Sequence, residues 1–306
     1  VVKLGSQRVV TTHSPYLLAK APMSSLIHVK REDHATSLTR MNVDLTEVQR
    51  TETERYLLRT HGELLFADAV VLAEGETEEY ALPIFFEHYY GKRPFELGVT
   101  IVSVASHKYE TYLRIIHKLG LPWFILSDAE ARVLKSISNQ LSRAIYNNEP
   151  VDLARITRVV TCRNENDFEK DLIDDGYTEE MIAAINAFET SESLDEASQS
   201  TAFFDKWMDK NQGNTKRTTK TDQVCETCHQ NIYVQEKYDF SGEDGRQTAL
   251  VDFLNMGKNK VRYASAIADG IVGLADETRT LPTCIRKLFT QLDTILRVTK
   301  DEADTT

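Results

Sequence analysis

The sequence predicts an α/β fold in which a parallel sheet is flanked by helices and carries a mainly helical insertion. Three observations carry that expectation. Residues 69–73, Ala-Val-Val-Leu-Ala, are continuously apolar, the mark of a strand covered on both faces. Strand-like and helix-like stretches alternate with short connections from residue 66 to residue 126, a pattern that builds parallel rather than antiparallel sheets. Residues 164–255 then break the alternation with polar, helix-favouring sequence.

Taken in order, residues 8–12, Arg-Val-Val-Thr-Thr, read as a buried strand ending at His13-Ser14-Pro15. A short helix over 16–21 and a strand over 26–30 follow. Residues 45–61 are charged and helical in pattern, with Thr46 as the N-cap. The strand at 69–73 ends in Glu74-Gly75, and an amphipathic helix spans 76–90. Next come a strand at 100–104, a helix near 110–119 and a strand at 123–126 that ends at Ser127-Asp128. Residues 159–160, ending at Cys162, make a fourth strand. The breaker-rich stretch Gly213–Asp222 reads as a mobile loop within the helical insertion. Helices resume at 261–274 and 283–297, and the polar tail 299–306 is too hydrophilic to pack.

Composition narrows the function classes. The 306 residues suffice for about two domains. A net charge of −11 argues against a broad basic face for nucleic acid. It leaves room for phosphate contact through divalent cations that carboxylates recruit. No apolar run reaches the roughly 18 residues that a membrane span needs, and no basic-then-apolar leader opens the chain, so a cytoplasmic protein without membrane association is expected. The opening at Val1, inside an apolar stretch, reads as an internal start. Four cysteines are too few for a secreted disulfide framework. Cys225-Glu-Thr-Cys228-His229 has the spacing of half a zinc site. With no second cysteine pair, ordinary thiols are favoured there and zinc stays open.

The residues that can carry chemistry sit at strand ends. Glu74 closes the first parallel strand, Gly75 permits a sharp turn, and Glu78 lies in the first turn of the following helix. Asp128 belongs at the same edge of the sheet, with Glu130 two residues on. Ligands of parallel sheets gather beyond the carboxyl ends of the strands. Acids so close repel unless cations separate them, and oxygen ligands suit Mg²⁺ or Mn²⁺. Singly, each acid has a plainer account: favourable placement near a helix dipole, or an N-cap. Their joint placement at successive strand ends favours metal.

Ala69-Val-Val-Leu-Ala-Glu74-Gly75-Glu-Thr-Glu78, followed by Phe124-Ile-Leu-Ser-Asp128-Ala-Glu130, resembles the Toprim signature. The longer run from Glu63 to Glu78 is similar to the OLD (overcoming lysogenization defect) branch of that family. Val9-Val-Thr-Thr-His13-Ser14-Pro15 resembles the switch-histidine loop that closes an ABC-type ATPase domain. The resemblance implies residues 1–62 as the end of that ATPase domain with its linker, 63–163 as the Toprim core and 164–255 as a helical insertion. It further implies 256–298 as the C-terminal Toprim part and 299–306 as a disordered tail. Implied roles are metal binding by Glu74, Glu78, Asp128 and Glu130, with Asp167 and Glu169 at a second metal. Glu74 and Lys260 would be catalytic, Lys260 fitting the spacing better than Lys258, and His13 would sense ATP. The implied activity is two-metal hydrolysis of DNA with Mg²⁺ or Mn²⁺, Ca²⁺ binding without turnover. DNA, a homodimer formed through the ATPase domain and a helicase-type protein are the implied partners. Two departures stand out: Glu130 replaces the family's usual Asp, and Ala105-Ser106-His107-Lys108 replaces a glycine-containing turn. A non-catalytic scaffold for ATP-gated assembly and a primase- or topoisomerase-like enzyme remain alternatives.

Overall fold

The computed structural model describes residues 9–32, 35–41, 45–105, 108–192, 202–273 and 281–296. The first part holds α1 (Pro15–Leu18), the antiparallel pair β1 (Ile27–Glu32) and β2 (Ala35–Arg40), and α2 (Glu47–Glu52). Thr46 caps α2: its side chain accepts from the Gln49 backbone while Gln49 bonds back to the Thr46 N–H. The α/β region then runs β3 (Ala69–Ala73), α3 (Glu76–Tyr90), β4 (Val99–Ser103), α4 (Tyr109–Lys118), β5 (Trp123–Ser127), α5 (Ala131–Ala144) and β6 (Val159–Thr161). Helices α6 (Phe168–Asp174), α7 (Thr178–Glu192) and α8 (Phe203–Asn211) precede a hairpin of β7 (Thr215–Val224) and β8 (Asn231–Lys237). Helices α9 (Gly245–Leu254), α10 (Asn259–Gly273) and α11 (Thr283–Leu296) complete the described chain. No described helix is long and apolar enough to cross a membrane.

Four parallel strands in the order β4-β3-β5-β6 form the central sheet. Two-residue periodicity sends alternate side chains of β3 to opposite faces. Ala69, Val71 and Ala73 join one core with Leu82 and Phe85 of α3 and Ile267 of α10. Val70 and Leu72 join the other with Leu113 of α4 and Ile137 of α5. The continuous apolar run is thereby explained, since both faces of β3 are covered. Helices α6, α7, α9, α10 and α11 all contribute to the first core, so the sequence beyond residue 164 packs directly on the sheet.

Adjacent strands β3 and β5 send their following helices to opposite faces: α3 lies on the first core and α5 on the second. Such a reversal opens a crevice at the strands' carboxyl ends, where α/β folds bind ligands. The residues at its mouth are those just after Ala73 and Ser127.

The structure corrects several sequence expectations. Residues 9–12 form no strand, and Val9 and Val10 are exposed; no described strand runs beside them to satisfy their backbone groups. Residue 8 lies outside the described residues. The stretch 213–222 is not a loop: from Thr215 on it is strand β7, because Thr215, Thr218, Thr219 and Thr221 are β-branched and find a partner strand rich in Ile232, Tyr233 and Val234. Strand β2 is an addition the sequence reading lacked, and the helix after Asp128 has Glu130 rather than Asp128 at its N-cap position. Helices expected over 261–274 and 283–297 occur as α10 and α11, while residues 274, 297 and the tail 299–306 lie outside the described residues.

Candidate metal centre at the carboxyl edge of the sheet

Glu74 follows β3, and its backbone N–H continues the pairing to Leu126 O of β5 at 3.1 Å. Its side chain is nearly buried and held through one oxygen. Oε2 accepts the Ser127 hydroxyl at 2.5 Å and the Asp128 backbone N–H at 2.9 Å. The last turn of β5 is thus anchored on the carboxylate that closes β3. Glu78 folds back within the first turn of α3, and its Oε2 accepts the Gly75 N–H at 3.1 Å. A β-carbon at Gly75 would stand 3.1 Å from that oxygen, which is why a residue without one suits the turn.

A third loop completes the crevice. Asn166 O accepts the Ala129 N–H at 2.9 Å, binding the chain after β6 to the chain after β5. Asp167 caps α6 by accepting the Lys170 N–H at 2.9 Å. Lys260, at the start of α10, then bridges two acids: its Nζ lies 2.7 Å from Asp167 Oδ2 and 2.8 Å from Glu169 Oε2. Asp167 and Lys260 are 93 residues apart in sequence. Backbone strain concentrates at the same edge. Ala105 after β4 and Asn164 and Glu165 after β6 take φ values of 47°, 51° and 60°, costly for residues other than glycine. Ala105 therefore adopts a glycine-like conformation; residues 106 and 107 lie outside the described residues.

Burial and mutual repulsion govern the charge states. Burial, then the Glu169 carboxylate, push Glu78 up to about 8. Burial, then Glu78 and Glu74, push Asp128 up to about 9. Burial also raises Glu169, with Lys260 opposing. Burial alone would lower Lys260, but Glu169 and Asp167 more than offset it and hold the ammonium above the ordinary lysine range. Asp128 Oδ1 is buried without a hydrogen-bond partner. A cation would satisfy this orphaned acceptor and offset the repulsion of the crowded acids. All the donors are hard oxygens, so the residues fit a divalent cation. As arranged, no three of these carboxylates bring one oxygen each within 4.8 Å of one another; among the described residues the trio that does is Cys162, Asp171 and Cys284.

The model of the family described as "Overcoming lysogenization defect protein-like, TOPRIM domain" matches residues 65–129. Residues 65–129 belong to the OLD-like Toprim family. Among solved structures, the C-terminal region of the Xanthomonas campestris pv. campestris OLD protein is 21% identical, with 76% of this chain and 98% of that chain covered at a TM-score of 0.46. The C-terminal region of the Burkholderia pseudomallei OLD protein is 19% identical, with 76% and 99% covered at a TM-score of 0.45. No curated protein matches the chain.

Of the residues singled out in sequence, Glu74, Glu78, Asp128, Asp167, Glu169 and Lys260 meet around the crevice at the carboxyl edge of the sheet. Glu130 stands apart: it is exposed at the N-cap position of α5. The carboxylates acting most strongly on Asp128 are Glu78, Glu74, Asp167 and Glu169. Lys258 is exposed ahead of α10. His13 is exposed against the Phe66 ring, 5.5 Å between centroids. Two further residues of the Toprim site escaped the sequence reading. Ser127 was marked only as a strand end, although a serine closing an apolar strand was a usable signal. Tyr109 carried none; it is fully buried in α4 beside Ser127, and burial followed by the Glu74 charge holds its pKa well above the usual tyrosine range.

The charge states fix a pH dependence. Glu78 and Asp128 have folded values above their ordinary ones, so the metal-free folded protein holds protons that the unfolded chain has released. Their stabilising contribution is present below the ordinary carboxylate range and is lost as pH rises through about 8 to about 9. In a chelator, the melting temperature is expected to fall between about pH 6 and pH 9, and Asp128→Asn to flatten that fall. A melting temperature that rises across this window would contradict the assigned protonation.

Proposed function

We propose that this chain is the nuclease part of an OLD-type protein, a metal-dependent endonuclease that hydrolyses DNA phosphodiester bonds. The observation that carries the reading is the meeting of five carboxylates and one lysine at the switch point between β3 and β5, with Asp128 Oδ1 buried and unpartnered. Glu74, Glu78 and Asp128 would hold one divalent cation, Mg²⁺ or Mn²⁺; Asp167 and Glu169 would hold a second, with Glu130 available from the rim. Bound there, such ions supply an activated water and positive charge at the leaving oxygen.

The chain's own residues do the rest. Ser127 and the Asp128 N–H fix Glu74 through Oε2, which leaves Oε1 for ligation. Glu78 is restrained by the Gly75 N–H, and Lys260 is held beside the crevice by Asp167 and Glu169. Lys260 would offset negative charge on the phosphate as it passes through the transition state. The net charge of −11 makes cations the natural mediators of phosphate contact.

Supercoiled plasmid incubated with Mg²⁺ or Mn²⁺ should give nicked and then linear product, and none in a chelator. Intact plasmid under every condition would point to a non-catalytic scaffold. Relaxed circles without nicks would point to a topoisomerase-like enzyme. Either result would overturn the reading.

A further inference from the structure

The β7–β8 hairpin plays no part in the proposed cleavage site. Its strands pair from Thr215↔Lys237 to Val224↔Asn231, leaving 225–230 as the tip. That tip is closed by two backbone bonds, Cys225 N–H to Gln230 O at 2.8 Å and His229 N–H to Cys225 O at 2.9 Å. His229 adopts a left-handed φ of 56° to complete the turn. The Cys228 and Thr227 N–H groups hydrogen-bond the Cys225 sulfur and hold its pKa below the usual thiol range. Cys228 is exposed and Cys225 half-buried. Two thiols of a Cys-x-x-Cys turn, with N–H groups aimed at a sulfur, make the half-site that a soft-tolerant cation such as zinc takes.

Zinc in a closed site needs four ligands, and this chain offers two at the tip. Cys162 and Cys284 are buried elsewhere. As arranged, neither His229 nor Glu226 brings a ligand atom close to both thiols; among the described residues the tight trio of possible ligands is Cys162, Asp171 and Cys284. A second copy of the chain can supply the two ligands that remain. Val224, Ile232, Tyr233 and Val234, next to the tip, are 49%, 37%, 58% and 56% exposed. Apolar residues on a projecting two-stranded hairpin call for a cover, because such a hairpin is marginal by itself. A two-fold partner supplies both needs at once, an identical thiol pair and an identical apolar flank.

We propose that the hairpin tip is one half of a zinc site, in which Cys225 and Cys228 of one copy and the same two cysteines of a second copy bind a single ion and join the copies. Each thiol releases its proton to solvent as the metal binds. This proposal is independent of the nuclease reading.

The test uses the whole chain with zinc alone as probe, read by elemental analysis and sedimentation. About half a zinc per chain and a dimer that a chelator converts to monomer are expected. Cys225→Ser and Cys228→Ser should each lose zinc and dimer while keeping the circular dichroism spectrum. His229→Asn, which tolerates the left-handed turn, should keep both. One zinc per monomer would place all ligands within the chain and overturn the proposal. So would absence of zinc binding, or a dimer indifferent to chelator and to both serine variants.

Discussion

Glu74→Gln should abolish metal-dependent cleavage, by at least about a thousandfold, the upper range for removing one electrostatic element of a catalytic site. The glutamine keeps an oxygen to accept from Ser127 and from the Asp128 N–H, so the join between β3 and β5 survives. What it removes is the charge that a cation needs. Glu74→Ala should be equally inactive but also less stable, since it removes the buried acceptor that the Ser127 hydroxyl and the Asp128 N–H share. Cleavage rates on plasmid, with circular dichroism to confirm folding, separate the two effects. A Glu74→Gln protein that cuts at the wild-type rate would remove the metal assignment from this crevice.

Lys260→Ala is expected to lose at least about a hundredfold in cleavage rate. The proposed role lies in the transition state, where the phosphate would carry most charge, so DNA affinity measured in Ca²⁺ should change little. Lys258→Ala should be milder, because Lys258 is exposed and Lys260 is the lysine held by Asp167 and Glu169. Removing Lys260 also leaves Glu169, 5% exposed, without its cation. That carboxyl then takes up a proton, and some thermal stability is lost with it. Glu169→Gln in the Lys260→Ala background should restore the stability without restoring cleavage. Recovery of cleavage in that double variant would make Lys260 a structural counter-ion and nothing more. Normal cutting by Lys260→Ala with an inactive Lys258→Ala would shift the catalytic lysine by two residues.

Much of the first half of this site was legible in the sequence. A continuous apolar run gave β3, the helix expected over 76–90 is α3 over Glu76–Tyr90, and the acids at the two strand ends marked the edge. These are local signals: periodicity, a glycine at a turn, a polar residue ending an apolar stretch. The Cys225–His229 motif was visible too, but not the hairpin that presents it. Isolated thiols say nothing about the strands on either side, and Gly213–Asp222 looks like a loop until β8 pairs with it. Residues 9–12 err the other way, apolar enough for a strand yet without a described neighbour to pair with.

By itself the sequence determined the strand–helix alternation, and hence that Glu74, Glu78 and Asp128 lie at the carboxyl edge of a parallel sheet. Each of those positions follows from a stretch of chain no longer than one strand and one helix. Only the tertiary structure decided which of the remaining charges join them. Strand order sets β3 beside β5, the Ala129–Asn166 hydrogen bond draws the loop after β6 alongside, and the packing of α10 on α3 and α7 delivers Lys260 to Asp167. Glu130, only two residues from Asp128, was left outside on the rim. Spacing along the chain fixes what one element can present. Distance between elements depends on how their buried faces pack, and no single segment encodes that.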